Sequence, residues 1–357
     1  MAIVAYRRGQ NLMTRRQLFA CLPSLAALRA AQTSTVPFER IDSHVHIHRD
    51  APRFLSSMGE AGWRALSICV SSATTPTDTS DLEEELRNTA RLSRESGKRL
   101  AWAATFDARG FENPNFPERT VASLRQCFDQ GAIGVKVWKN VGLGIRSKSG
   151  EYLLPDNPAL MPVYEAIQKS GKILLVHLGG TSGGWMPIDA NNPEYRYYQV
   201  HPEWNLYGRP GAPTKTAIMT ARDHVLARFP KLRVLGCHIG SMEDDLEGAA
   251  KHFDAYPNLV VDTAAKVRYL AHGNREKVRE FLLKYQNRVL YATDFTLAPG
   301  DQEQAWKSLQ ATYERDWKFF AGPDRMQYQG REVQGLALPQ PVLRKIFYKN
   351  AVDWLRM

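Results

Sequence analysis

"ERIDSHVHIH", Glu39 to His48, holds three of the nine histidines of a 357-residue chain, with an aspartate two residues before the first. Read as a β-strand, the segment alternates its side chains between two faces. His44, His46 and His48 then share one face with Asp42, and Ile41, Val45 and Ile47 take the other. A buried strand face disfavours imidazoles, because each brings two polar nitrogens that need partners. A metal ion supplies those partners. A histidine-rich, solvated edge strand is the alternative that this stretch alone leaves open.

The same kind of run recurs along the chain. "RIDSHVHI", "ALSICVSS", "LAWAATFD", "AIGVKVW", "KILLVHLG", "RVLGCHIG", "LVVDTAA" and "RVLYATDF" are apolar and strand-like, and helix-like segments separate them. "DLEEELRNTARLSRESG" opens with Ser80 or Asp81 as a cap and closes on Gly97. "ERTVASLRQCFDQG", "NPALMPVYEAIQKSG" and "NREKVREFLLKYQ" repeat the pattern, and "QPVLRKIFYKNAVDWLRM" reads as a closing helix. Near-continuous apolar strands alternating with helices imply parallel strands covered on both faces. Eight such units predict an α/β fold, a (β/α)8 TIM barrel, whose usual length is about 250 residues. A doubly wound open sheet is the runner-up, but no glycine-rich phosphate loop follows the first strand. Residues 36–357 read as a single barrel domain.

Residues 1–32 read differently. They contain five arginines, Arg7, Arg8, Arg15, Arg16 and Arg29, and no acidic residue. Setting them aside lowers the net charge from +10 to +5, with the remaining charges mixed along the helices. With no basic block interleaved with aromatics, nucleic acid is excluded as a partner. "TRRQLFACLPSLAALRAA" joins an arginine pair to a short apolar stretch and small residues, the layout of an export signal too short to span a bilayer. Its Thr-Arg-Arg-x-Leu-Phe order resembles the twin-arginine signal, with residues 1–12 a candidate over-called start before Met13. A periplasmic or otherwise exported bacterial protein without stable membrane association after processing is expected. Cys21, Cys69, Cys127 and Cys237 show no paired spacing, so neither a disulfide framework nor a cysteine-based zinc site is indicated. The last three read as buried small hydrophobes.

In barrels of this type, functional groups sit at the C-terminal ends of the strands. Asp42, His44 and His46 lie on the first strand, Lys136 on the fourth, His177 at the end of the fifth, His238 of the sixth and Asp294 of the eighth. Five strands each bringing a metal-compatible residue to one rim point to a metal site, with His44 and His46 as one side of it.

These motifs resemble the amidohydrolase superfamily, in its second amidohydrolase family, the one related to aminocarboxymuconate-semialdehyde decarboxylase. The resemblance spans residues 39–357 and rests on "IDSHVH", "GVKVWKN", "LLVHLGG", "LGCHIGS" and "YATDF" in that order, with "KNAVDWL" near the end. It implies that His44, His46, His177 and Asp294 ligate one divalent metal ion, Zn2+ by donor type. Asp294 would also act as general base, and His238 would polarise a carbonyl or pass protons to the leaving group. Asp42 is expected to orient a ligand imidazole. In binuclear relatives a lysine at the place of Lys136 is carbamylated and bridges two ions; the branch resembled here needs one. Lys136, Trp138 and Arg196 are then read as substrate-binding, for a small anionic or polar molecule.

The implied activity is metal-dependent hydrolysis of an amide, ester or lactone, with non-oxidative decarboxylation of a small unsaturated or aromatic acid as the alternative. A non-enzymatic binding protein on the same scaffold would predict a broken ligand set, and no ligand position is broken. The long segment 179–211 is expected to be a lid or pocket wall, with Trp185, Asn192, Arg196, Tyr197 and Trp204 as contact groups. Its other reading, a surface packed on a second subunit, leaves a homodimer open. His201, His224, His252 and His272 read as surface residues.

Residues 13–35 fused to a folded reporter should carry it to the periplasm of a bacterium with a twin-arginine pathway, and Arg15→Lys with Arg16→Lys should stop it. A reporter retained in the cytoplasm by the unmutated fusion would make this segment something other than an address.

Overall fold

Seven of the eight apolar runs form one strand each in a computed structural model of the protein, which describes residues 38–357. They are β1 (Arg40–His46), β2 (Trp63–Ile68), β3 (Leu100–Thr105), β4 (Gly134–Val137), β5 (Ile173–Val176), β6 (Arg233–Gly236) and β7 (Leu259–Asp262). The eighth run divides into β8 (Val289–Leu290) and β9 (Phe295–Thr296). All neighbours are parallel, in the order β8-β7-β6-β5-β4-β3-β2-β1-β9. The predicted export segment lies outside the described residues. Among those described, no helix is long and apolar enough to cross a membrane.

The sheet is curled and barrel-like but incompletely closed, which differs from the closed eight-stranded barrel expected from the repeats. The break falls between Leu290 and Phe295. There Asp42 accepts hydrogen bonds from the Thr293 backbone N–H (3.1 Å) and hydroxyl (2.6 Å), and Asp294 takes a left-handed backbone with φ 67°. The seam is bridged by Ser43 N–H to Tyr291 O (3.0 Å) and Asp294 N–H to His44 O (2.9 Å), before β9 pairs with Val45 and His46.

Alternation then divides the side chains. Ile41, Ile68, Ile173, Leu175, Leu235, Val260 and Leu290 fill the space inside the curl, together with Ala351 and Leu355 of the last helix (Asn350–Leu355). Val135, Val137, Leu174, Val234 and Val261 face outward to the helices. Period two therefore turns Lys136, His177 and Asp262 inward at the same end of their strands. Helices form over the helix-like segments, among them Leu82–Glu95, Phe116–Asp129, Met161–Lys169 and Arg275–Lys284. An antiparallel hairpin, β10 (Arg325–Tyr328) with β11 (Arg331–Gln334), was not anticipated; Gln329 and Gly330 make its tight turn with positive φ.

The first strand corrects one expectation. Asp42 pairs with Ala65 and Val45 with Ser67, so three steps of β1 oppose two of β2. This bulge reverses the alternation. Ile41 points inside, whereas Asp42 points out to the helix Gln302–Ala321 and so does not share the face of His44 and His46. Its carboxylate accepts from His44 N–H (3.2 Å), both donors of Thr293, and the Tyr313 hydroxyl (3.0 Å). It therefore holds backbone in place and does not orient an imidazole. Burial pushes this carboxyl up to about 7, against the donors around it.

Asp42→Ala leaves four donors without an acceptor and should lower stability by about 3 kcal/mol or more in urea denaturation, while Asp42→Asn should cost less. Equal stability of the alanine variant and the parent would contradict this role.

Candidate metal centre

Three histidine rings are oriented by hydrogen bonds at their Nδ1 atoms, and each bond settles a tautomer. His46 Nδ1 lies 2.7 Å from the Ile68 carbonyl oxygen and His238 Nδ1 lies 2.9 Å from that of Ala264. A carbonyl only accepts, so both Nδ1 atoms carry protons, and in the neutral ring the lone pair is left on Nε2. His44 Nδ1 donates likewise to Asp262 Oδ2 at 2.9 Å. Burial pushes His44 below its ordinary range and His238 down to about 3, so both rings are neutral near pH 7.

The bare Nε2 atoms of His44 and His46 each stand 3.3 Å from the same atom, Asp294 Oδ1. Burial raises the Asp294 carboxyl, and what would bring it below the usual carboxylate range is positive charge on the His238, His44 and His46 rings and a hydrogen bond from His46; with those rings neutral, the same place calls for another cation. Two nitrogen lone pairs and an ionised oxygen thus converge with no proton of their own between them. This donor set fits a divalent ion. The donor atoms of His44, His46 and Asp294 all lie within 4.8 Å of one another.

His177, just beyond the end of β5, lines the same cavity. Its ring centre is 4.1 Å from that of His238, and the ring makes no hydrogen bond among the described residues. It faces the site without joining the 4.8 Å group. Lys136 is fully buried, and its Nζ donates to Cys237 Sγ at 2.9 Å. Cys69, Cys127 and Cys237 are buried and unpaired, as expected.

The residue that sequence reading missed is Asp262, at the end of β7. It is fully buried, and its Oδ1 accepts from His238 N–H (2.7 Å) and Ala264 N–H (3.1 Å), while Oδ2 takes the His44 proton. Burial would raise this carboxyl, but His44 and its hydrogen bond keep it below the ordinary range. Its signal was available: "LVVD" ends in a carboxylate at the rim, as the other site strands end in rim residues.

The cavity holds about 740 Å³, within the range of small-molecule sites. Arg196, Tyr197 and Trp204 of segment 179–211 line it beside Trp138, which sits edge-on to His177 and to Trp204 at 6.3 and 4.9 Å. Trp185 and Asn192 instead hold the segment together, bonding to Pro213 O, Gly183 O and Pro187 O. Lys139, also missed, is buried beneath Trp138, Tyr197 and Trp204, 4.7 to 5.0 Å from the ring centres, and bonds the Tyr197 hydroxyl. Burial brings it down to about 7. His201 and His224 are exposed at the surface, whereas His252 and His272 are half-buried and bonded to Asp223 and to the Tyr328 carbonyl.

The family model described as Amidohydrolase (Amidohydro_2) matches residues 41–357. No curated protein matches the chain. Among solved structures, the fold is similar to that of 2,6-dihydroxybenzoate decarboxylase complexed with 2,6-dihydroxybenzoate. The identity is 15%, the TM-score 0.52, and the match covers 90% of this chain and 100% of that one. A Staphylococcus aureus protein assigned to the amidohydrolases is similar at 14% identity and a TM-score of 0.51, over 90% and 100% of the two chains. At such identities the likeness concerns the fold.

Because Asp262 must accept on both oxygens, Asp262→Asn presents an amide to at least one donor and should weaken metal affinity by about 10- to 100-fold in a chelator competition. His44→Ala with His46→Ala should remove the ion from this site. Unchanged affinity in the first, or full occupancy in the second, would overturn the assignment.

Proposed function

The chain belongs to the Amidohydrolase family and is a metal-dependent enzyme; from that premise we propose that it hydrolyses an amide, ester or lactone bond in a small anionic molecule. One observation carries this reading. The converging lone pairs of His44, His46 and Asp294 open onto a cavity whose cations Lys136, Lys139 and Arg196 have no carboxylate within ion-pair distance among the described residues.

In this proposal His44, His46, His177 and Asp294 hold one divalent ion, Zn2+ by donor type. When bound, that ion supplies Lewis acidity. Asp294, kept ionised, takes a proton on its carboxylate. His238, kept neutral with Nε2 bare, accepts a proton at that atom and returns it to the leaving group. In the one-ion arrangement proposed here, Lys136 donates to the Cys237 sulfur and does not bridge two ions. Lys139 and Arg196 attract the substrate's anionic group, Trp138 and Trp204 supply flat apolar walls, and segment 179–211 limits access of water. The proposed export address on residues 1–32 would place the reaction outside the cytoplasm.

A second reading, decarboxylation of a small unsaturated or aromatic acid, is favoured by the Trp138, Lys139 and Trp204 wall, since a cation among aromatic faces suits a planar carboxylate. Screening the metal-loaded protein against lactones, amides and aromatic acids while recording CO2 separates the two. Turnover without CO2 supports hydrolysis, and CO2 release in step with substrate loss overturns it.

His238→Asn should keep the ion and lower kcat by roughly 10² to 10⁴, the usual worth of a positioned proton-transfer group. Loss of the ion in that variant would instead make His238 a ligand. Lys139 is charged below about 7 and loses its proton above it, so binding of a carboxylate inhibitor should be constant below about 7 and weaken above it, approaching tenfold per pH unit. Lys139→Arg, which stays charged, should remove that inflection; a profile that keeps it would place the titrating group elsewhere.

A further inference from the structure

We propose that the chain carries a second, separate metal site, for Zn2+ or another thiophilic divalent ion, formed by His48, Cys69 and Glu85. The three come from different elements: His48 just beyond β1, Cys69 just beyond β2, and Glu85 in the first turn of the helix Leu82–Glu95. Their donor atoms all lie within 4.8 Å of one another.

Hydrogen bonding again settles which atoms carry protons. The Thr89 hydroxyl donates its single proton to the Glu85 carbonyl at 2.7 Å, so toward His48 Nδ1, at 2.8 Å, it only accepts. Nδ1 is therefore protonated and Nε2 is bare. That bare nitrogen faces Glu85 Oε1 at 3.6 Å, and Oε1 also accepts the Val70 N–H at 2.8 Å. A nitrogen lone pair, a carboxylate oxygen and a sulfur converge here. Imidazole, carboxylate and thiolate are zinc donors, while magnesium and calcium prefer all-oxygen shells.

The site shares no residue with the first. His46 and His48 rings are 5.8 Å apart, and His46 turns to the first site because its Nδ1 is held by Ile68 O. His48 and Glu85 line the large cavity, which supplies the route in, while Cys69 lies fully buried behind them. On binding, the Cys69 S–H bond breaks, its proton passes to solvent, and the sulfur lone pair forms the bond to the ion. No oxidation is involved. The inference stands apart from the reaction proposed above, because neither His44, His46 nor Asp294 enters it.

The test is cobalt titration of the full chain, since Co2+ held by a thiolate shows a near-ultraviolet charge-transfer band that nitrogen and oxygen ligation lacks. The parent should take up two equivalents, with the band appearing during one of them. Cys69→Ser should abolish the band and one equivalent, and Glu85→Gln should weaken the same equivalent. Cys237→Ser should keep the band, and His44→Ala with His46→Ala should lose the other equivalent while keeping it. A parent that binds one equivalent without the band overturns the proposal, whatever the variants do. So does a band that survives Cys69→Ser and disappears in Cys237→Ser.

Discussion

A single buried carboxylate, Asp262, ties together the parts of the rim that matter. Placing an ionised group in the interior costs several kcal/mol unless its lone pairs are met. Here three donors meet them: the His44 ring, and the backbone N–H groups of His238 and Ala264. One residue thus sets the tautomer of His44, shapes the turn after β6, and joins β7 to both. Without it, the His44 Nε2 lone pair would have no reason to face Asp294.

That anchoring supports backbone that would otherwise be unfavourable. His238, Ile239 and Ser241 after β6, Ala265 after β7, and Asp294 between β8 and β9 all have φ between 54° and 67°. For non-glycine residues such conformations cost on the order of 1 kcal/mol or more each. They cluster where His238 and Asp294 must turn out of strand alternation toward the cavity. The broken eighth strand belongs to the same economy of shape: a continuous ladder would have left Asp294 following the pleat.

The outer wall of the cavity is organised by charge. Glu194, on segment 179–211, receives Lys266, Arg268 and the Tyr269 hydroxyl, and so pins that segment to the region after β7. Those cations are largely neutralised by it, and Lys266 also faces the buried Glu243 at 3.3 Å. Lys139 is held instead by ring faces and one hydroxyl. It therefore remains available to an anion, at the cost of an ammonium that burial makes easier to deprotonate.

The sequence by itself determined what depends on local periodicity. Apolar runs alternating with capped helices announced parallel strands, and period two along each strand carried Lys136 and His177 to the inner face of one rim. His44, His46, His238 and Asp294 were legible because imidazoles and carboxylates in apolar runs are conspicuous. Tertiary structure decided whatever depends on partners distant in the chain. The face taken by Asp42 follows from a bulge that exists only against β2. The weight of Asp262 comes from donors 24 and 218 positions away. Lys139 reads as an ordinary basic residue until Tyr197 and Trp204 cover it, and Cys69 reads as a small hydrophobe until His48 and Glu85 arrive beside it. Side-chain direction along an unbulged strand is a property of the strand, whereas bulges, burial, tautomer and protonation belong to the neighbours that folding supplies.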